Sequence, residues 1–460
     1  MNLTAVRVNA IKMLSNDHED PMTGAEAKSK EVVFRLFVSV GRASLLADIQ
    51  DSHSGNMSIR YTDQKGREYM AITATGSQKG DLEPGQICYI PATATDFRSY
   101  KASSESRTHA RILGLPGVGA TLHVHAKDLT IATLDDEPKP STAPDFWPVD
   151  RLGFHHLGAV PVLWVSVPIG SQELSDKATA ALTDHPTAVI QAHGLLAKAR
   201  TLKEALFLAH IANASGAVVR LAKKLGVDLA RLRAAVRSDP DANFDGRAGA
   251  YGLEADDRCD FAGEKEVQRE FIKTGARIFE SKLSPFHTGS LSVRRGAEMF
   301  YAPKASMPRE VGGPLLQVPL NAGEADSTEM RRHKAIYAGS DFQTVLHCHI
   351  PEAEAEALAL DPRPGEALAR IVPLDAEGNF LYPVVPVVPP HLETGRLIGL
   401  LRDHKMVVVR GGGVWAVGRQ SLSEVLHHPA SLRDICLYRI GAVERGLDLK
   451  KMEPSKSGRL

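Results

Sequence analysis

The chain repeats itself, and that constrains it more than any single motif. "SSESRTHARILGLPGVGATLHVH" (103–125) lies beside "STEMRRHKAIYAGSDFQTVLHCH" (327–349) with the same internal spacing. Glu105 stands four residues before His109 and eighteen before His123, and Glu329 stands at the same distances from His333 and His347. Upstream, "GNMSIR" (55–60) answers "GSLSVR" (289–294). Downstream, "AVIQAHGLLAKARTLKEAL" (188–206) answers "VVVRGGGVWAVGRQSLSEVL" (407–426). Three blocks in one order mean two copies of one folding unit, each with its own core. The copies span 30–225 and 263–460, preceded by an N-terminal arm, 1–29, expected to be poorly ordered. Residues 226–262 read as a linker, on the Gly-, Asp- and Ala-rich "RSDPDANFDGRAGAYGLEADDRCDFAGE" (237–264).

Short β-rich runs ("VGATLHVH", "AVPVLWVSVP", "TAVIQAH") alternate with helical patterns such as "TLKEALFLAHIANASGAVVRLAKKLG". That alternation implies an α/β or α+β layered domain. Thr201 with Glu204, and Ser421 with Glu424, are helix-start capping boxes, and Gly226 is a helix-stop signal.

Charge argues for a small-molecule role. Lys plus Arg and Asp plus Glu are both 55, without a run of one sign, which gives no footing for nucleic acid or an anionic membrane. The start lacks a cleavable leader pattern and no continuous apolar stretch suffices to span a bilayer, so the expected compartment is the cytoplasm. Cys88, Cys259, Cys348 and Cys436 are scattered without CxxC spacing, which suits reduced thiols.

On a strand, residues i and i+2 face one side, so His123 and His125 present two imidazoles to one point. His193 closes another β-rich run just before Gly194 and can bring a third nitrogen. Glu105, at the start of a helical stretch, can serve as a fourth ligand or as a base beside a metal. Three neutral imidazoles with an exchangeable fourth position resemble a catalytic zinc site, and Mn, Fe, Co or Ni suit the same donors.

"GNMSIR", "AITATG", "SSESRTHA", "LHVHA" and "QAHG" followed by "TLKEAL" resemble the class II aldolase/adducin family over nearly all of residues 30–225. The resemblance implies two tandem αβα layered domains, each with a central, mainly antiparallel sheet. It implies that His123, His125 and His193 bind a divalent metal, zinc first, with Glu105 as the acid/base residue. It also implies that Asn56, Thr75, Gly76, Ser103 and Ser104 hold a phosphate or other anion, which suits small hydroxyls and a glycine amide. The implied activity is a carbon–carbon lyase acting on a phosphorylated or carboxylated sugar-like carbonyl compound through a metal-stabilised enediolate. Decarboxylation, epimerisation or dehydration can use the same site. A non-catalytic adducin-like assembly role and an iron-dependent oxygenase are the further alternatives; metal analysis separates the first, and anaerobic metal identification the second. The fuculose-phosphate aldolase type places a tyrosine proton donor where this chain reads "STAPDFWPVDRLGFHHLGAVPV" (141–162), which has no tyrosine. Asp150, His155 and His156 are the candidate substitutes within this stretch, and a residue from the other copy or another subunit is the remaining one.

The second copy has lost parts. Gly412 stands opposite His193, Ser290 opposite Asn56, Lys304 opposite Thr75 and Ala305 opposite Gly76. Glu329, His347 and His349 remain as the candidate degenerate site, with His391 as a candidate helper. The resemblance implies rings of four domains, so the expected assembly is a homodimer forming a pseudo-four-domain ring. There, Lys304, Arg331 or Arg332 can reach toward an anionic substrate.

Overall fold

The computed structural model describes residues 24–51, 53–97, 100–135, 146–237, 265–284, 288–302, 315–321, 323 and 326–454. The first sheet has seven strands: β1 (Asn56–Thr62), β2 (Glu68–Thr73), β3 (Ile87–Pro91), β4 (Ala120–Val124), β5 (Val162–Leu163), β6 (Thr187–Ile190) and β7 (Gly194–Ala199). Their order is β3-β2-β1-β4-β7-β6-β5. The second sheet comprises β8 (Ser290–Arg295), β9 (Glu298–Ala302), β10 (Leu316–Pro319), β11 (Thr344–Cys348), β12 (Ala369–Ile371), β13 (Val385–Val388), β14 (Met406–Val409) and β15 (Gly413–Gly418). Its order, β10-β9-β8-β11-β15-β14-β13-β12, repeats the first with one added edge strand. Only the β5–β6 and β13–β14 pairs are parallel. The repeat seen in the residues is therefore a repeat of topology, and each copy carries a mainly antiparallel sheet.

Both faces of each sheet are covered, because alternate strand residues are apolar on both sides. Leu195 joins a core with Phe37, Leu206 and Phe207, whereas its neighbour Leu196 joins another with Leu174, Ala178 and Leu182. Helices Gly24–Leu46 and Leu202–Lys224 supply the first face, and Gln172–Asp184 the second. This is the αβα layering expected. Helix Leu202–Lys224 is apolar enough over an 18-residue window to pass as a membrane span, but 83% of that window is buried inside the fold. It is a core helix.

The caps form with one difference from the simple capping box. Thr201 and Ser421 accept from the Glu204 and Glu424 amides at 3.2 Å each. The glutamates, however, reach back past the caps, Glu204 to the Arg200 amide and Glu424 to those of Arg419 and Gln420. At the other end of the helix, Gly226 takes φ +77°. Its amide bonds the Lys223 carbonyl while Val227 bonds Ala222, closing the helix as a paired C-terminal motif.

Two boundaries differ from expectation. The arm was drawn to residue 29, yet a helix begins at Gly24; its Val33, Phe37 and Val40 are buried, so core packing recruits it. Residues 1–23 lie outside the described residues. Within the expected linker, Leu229–Arg237 forms a helix, whose amphipathic face places Leu229 and Leu232 against the first core. The Gly-rich centre, 238–264, lies outside the described residues. Cys88, Cys348 and Cys436 are free thiols.

The copies meet through helix Leu202–Lys224, which packs on Pro351–Ala359 and Leu422–Glu444 of the second copy. Leu221, Ala355 and Ile440 form the apolar seam. Beside it, the Arg151 amide donates to the Gly411 carbonyl at 3.3 Å.

Candidate metal centre

β4 lies between β1 and β7, with His123 opposite Asn56 on one side and Leu196 on the other. The β6–β7 turn carries His193 to the same end of the sheet, with Ala192 at φ +54° and the His193 amide bonding the Ile190 carbonyl at 3.0 Å. The three rings then meet edge to face, with centroids 5.3, 4.8 and 5.1 Å apart for 123–125, 123–193 and 125–193. One nitrogen of each lies within 4.8 Å of the others. Among the described residues no other group of three histidines, cysteines or carboxylates converges so closely.

Gly194 makes this approach possible. A Cβ there would lie 2.6 Å from the Val124 carbonyl oxygen, 3.0 Å from His123 Cε1 and 3.2 Å from His125 Cδ2. The first of these is a backbone atom that cannot swing away.

Donor state and geometry suit a cation. His123 places Nδ1 3.0 Å from the Leu195 carbonyl, fixing that nitrogen as the donor and leaving Nε2 as a bare lone pair. Both His123 Nε2 and His193 Nδ1 are buried without a hydrogen-bond partner. Burial pulls the pKa of all three imidazoles down to about 4, so they are neutral at physiological pH. Neutral, converging imidazoles with unpartnered nitrogens fit a borderline-soft divalent metal.

Glu105 stands at the N-cap of helix Ser106–Leu113, 3% exposed. Its Oε2 accepts from Asn56 Nδ2 at 2.9 Å and lies 3.7 Å from His123 Nε2. Burial raises its pKa, against the lowering effects of the Asn56 hydrogen bond and of His193 and His125. Behind it, His109 is fully buried and bonded to Ser58 at 2.7 Å, tying the helix to β1.

The expected anion residues fall on two adjoining loops. The Thr75 amide and hydroxyl bond the Lys101 and Ala102 carbonyls at 3.0 and 2.7 Å. This holds Thr75–Gly76 against Ser103–Ser104, which precede Glu105. Gly76 takes φ +73° with open space at its Cβ position. Thr75, Gly76 and Ser104 are exposed; Asn56 and Ser103 are buried.

In the second copy the same positions close on themselves. His347 places Nδ1 2.7 Å from Glu329 Oε1 and Nε2 2.8 Å from the Gly412 carbonyl, and stacks on Trp415 at 4.3 Å. His349 turns Nδ1 to Glu354 at 2.8 Å. Ser290 bonds both Glu329 and His333. Glu329, His347 and His349 are thus internally paired, and His391 does not complete a converging set among the described residues. The Arg332 guanidinium lies over Trp415, 5.2 Å from the ring. Arg331 is exposed, and Lys304 and Ala305 lie outside the described residues.

The model of the class II aldolase and adducin N-terminal domain matches this chain twice, at residues 35–217 and 269–439. The chain belongs to the class II aldolase and adducin family. It is 32% identical over 162 residues to 5-methylthioribulose-1-phosphate/5-deoxyribulose-1-phosphate aldolase of Rhodospirillum rubrum, covering 34% of this chain and 66% of the relative, just under two thirds. With L-fuculose phosphate aldolase of Escherichia coli O6:H1 it shares 30% over 158 residues, 34% of this chain and 68% of the relative. Among solved structures, L-fuculose-1-phosphate aldolase of Thermus thermophilus aligns at 24% identity and TM-score 0.36, covering 41% of this chain and 95% of that one.

The class II aldolase fold does not leave the three candidate tyrosine substitutes equivalent. Asp150 is 4% exposed and caps helix Arg151–Leu157 through the Gly153 amide at 2.6 Å. Burial, then Glu354 of the second copy, raises its pKa to about 6. His156 packs on Phe207 and His155 on Phe154, with ring centroids 5.1 and 5.7 Å apart. All three are engaged in helix packing. Two features were not read from the residues: the role of Gly194, which depends on an approach between strands, and the burial of Lys79, 2% exposed. A lysine followed by glycine in a loop carries no signal of burial.

Proposed function

We propose that the chain is a metal-dependent carbon–carbon lyase for a phosphorylated or carboxylated sugar-like carbonyl substrate, with zinc the first candidate among Zn, Mn, Fe, Co and Ni. The observation that supports this is the convergence of His123, His125 and His193 beside the buried carboxyl of Glu105. His123, His125 and His193 hold the ion, which when bound supplies Lewis acidity toward a substrate oxygen. Asn56 orients Glu105, and burial, which raises the pKa of that carboxyl, favours its holding and returning a proton. The Thr75–Gly76 and Ser103–Ser104 loops take the anionic end of the substrate. The named activities of the Rhodospirillum and Escherichia relatives agree with a ketose phosphate.

Dehydration is the second reading. It is favoured by the absence of tyrosine from 141–162 and by 34% identity over 79 residues to methylthioribulose-1-phosphate dehydratase of Parvibaculum lavamentivorans. Product analysis on a panel of ketose 1-phosphates with the metal-loaded protein decides. Two carbonyl fragments support the lyase, loss of water alone supports the dehydratase, and no conversion with stoichiometric metal bound rejects both.

We also propose a homodimer. The contact of Arg151 with Gly411 joins unlike surfaces of the two copies, and a heterologous contact repeated between two chains gives the pseudo-four-domain ring where its rotation closes.

A further inference from the structure

Lys79 is 2% exposed. It opens the short turn Lys79–Asp81, and its ammonium donates to the His53 carbonyl at 2.7 Å and to the Ser77 carbonyl at 2.8 Å. Burying an ammonium is unfavourable unless its protons are all well received, so its placement needs a reason.

The two carbonyls belong to different loops. Residues 53–55 run into Asn56, and 75–78 contain Thr75 and Gly76. The first loop is otherwise tied to itself and to β4. Asp51 accepts from the His53 and Ser54 amides at 3.1 and 2.7 Å, and Gln50 donates to the Ser54 carbonyl. Gly55, at φ +68°, sits so close to β4 that a Cβ would overlap the His123 carbonyl oxygen. Lys79 bonds this loop to the second one. By the offset that sets Thr75 opposite Lys304, Pro308 stands opposite Lys79, so the copy lacking a counterpart of His193 also lacks this lysine.

We propose that Lys79 is a positioning residue for the anionic end of the substrate. Its ammonium clamps the loop leading into Asn56 to the loop carrying Thr75 and Gly76 and places a fixed positive charge behind them. The proposal rests on the reading that these loops hold the anion. Burial brings the Lys79 pKa down to about 8, with Asp51 opposing, so the charge can be removed at moderate pH. That charge is also felt by His123 on β4 and by His125 just past its end. Helix Gly24–Leu46 meets Lys79 through Gly41, at its backbone.

The test is calorimetric binding of inorganic sulfate, a dianion at every pH used, to the metal-loaded chain at pH 7 and 9.5. Wild-type affinity should fall about fivefold between them, the order expected for losing one nearby charge. Lys79→Met should bind weakly at both pH values, and Lys79→Arg should hold its affinity at pH 9.5. Equal affinity at both pH values in the wild type overturns the proposal even if Lys79→Met does not fold, as does a parallel fall in Lys79→Arg. If sulfate binds and substrate turns over while folded Lys79→Met matches wild type, the role of Lys79 alone fails. If the wild type binds no sulfate at either pH, the anion loops themselves are misassigned.

Discussion

His347 Nε2 lies 2.8 Å from the carbonyl oxygen of Gly412. The matching imidazole of the first copy, His123, leaves its Nε2 without a hydrogen-bond partner, in reach of His193. With a glycine in place of the third histidine, a main-chain carbonyl and Glu329 occupy both nitrogens of His347. Metal analysis of the purified chain should therefore find one equivalent of divalent ion, not two. His193→Ala should lose that ion and turnover together, whereas His347→Ala should keep it. A second tight equivalent that disappears in His347→Ala would contradict this assignment.

Glu105 touches the site through Asn56 and His123 without being needed for the histidine cluster. Glu105→Gln should retain metal and fold but lose turnover by about 10²–10⁴-fold, the usual contribution of a positioned acid/base group. Steady-state kinetics beside metal content checks it; unchanged kcat with full metal occupancy would remove Glu105 from the chemistry.

Gly194→Ala tests the close approach behind the histidines. The added methyl would stand 2.6 Å from the Val124 carbonyl oxygen, and β4 and β7 can separate only by breaking their pairing. A loss of about 2–4 kcal/mol in denaturant unfolding, with weakened metal binding, is expected. A variant as stable and as fully metallated as wild type would show that the strands yield.

Three histidines outside the metal centre, His109, His210 and His333, are buried, which holds each pKa down at about 3. Their folded pKa values lie below the ordinary 6.5, so in this window the unfolded chain binds more protons. Stability from them is full above pH 6.5 and falls as pH drops toward 3. Urea unfolding should show a lower stability at pH 5 than at pH 7, and His210→Phe should lessen the difference. Equal pH dependence in wild type and variant would contradict this.

Asp150 works in the opposite sense. Its pKa is raised from 3.8 to about 6, so between those values the folded state keeps a proton the unfolded chain has lost. Its effect therefore destabilises progressively as pH rises through that window. Asp150→Asn keeps an N-cap side chain and removes the buried charge. It should stabilise the protein at pH 7 by about 1–3 kcal/mol, with little gain at pH 4. A destabilised variant at pH 7 would mean that the charge is compensated across the seam.

Much of this was legible in the residues because it depends on near neighbours in the chain. The i, i+2 rule puts His123 and His125 on one face, the capping signals start two helices at Thr201 and Ser421, and the repeat announces two like domains. Legibility ended where partners are distant in sequence. Nothing near Lys79 in the chain marks it until the fold sets the His53 carbonyl beside it, and Asp150 reads as a candidate acid until it becomes a helix cap facing Glu354.

The duplication, the strand and helix patterns and the residue types able to bind metal follow from the order of the residues, since periodicity and spacing are local properties of a chain. That His193 meets the pair across a glycine while His347 is sealed by a carbonyl emerges only once the chain has folded. Those outcomes hang on a single side chain at the turn before β7 or β15, and on which atoms the packed sheet brings within hydrogen-bonding distance of it.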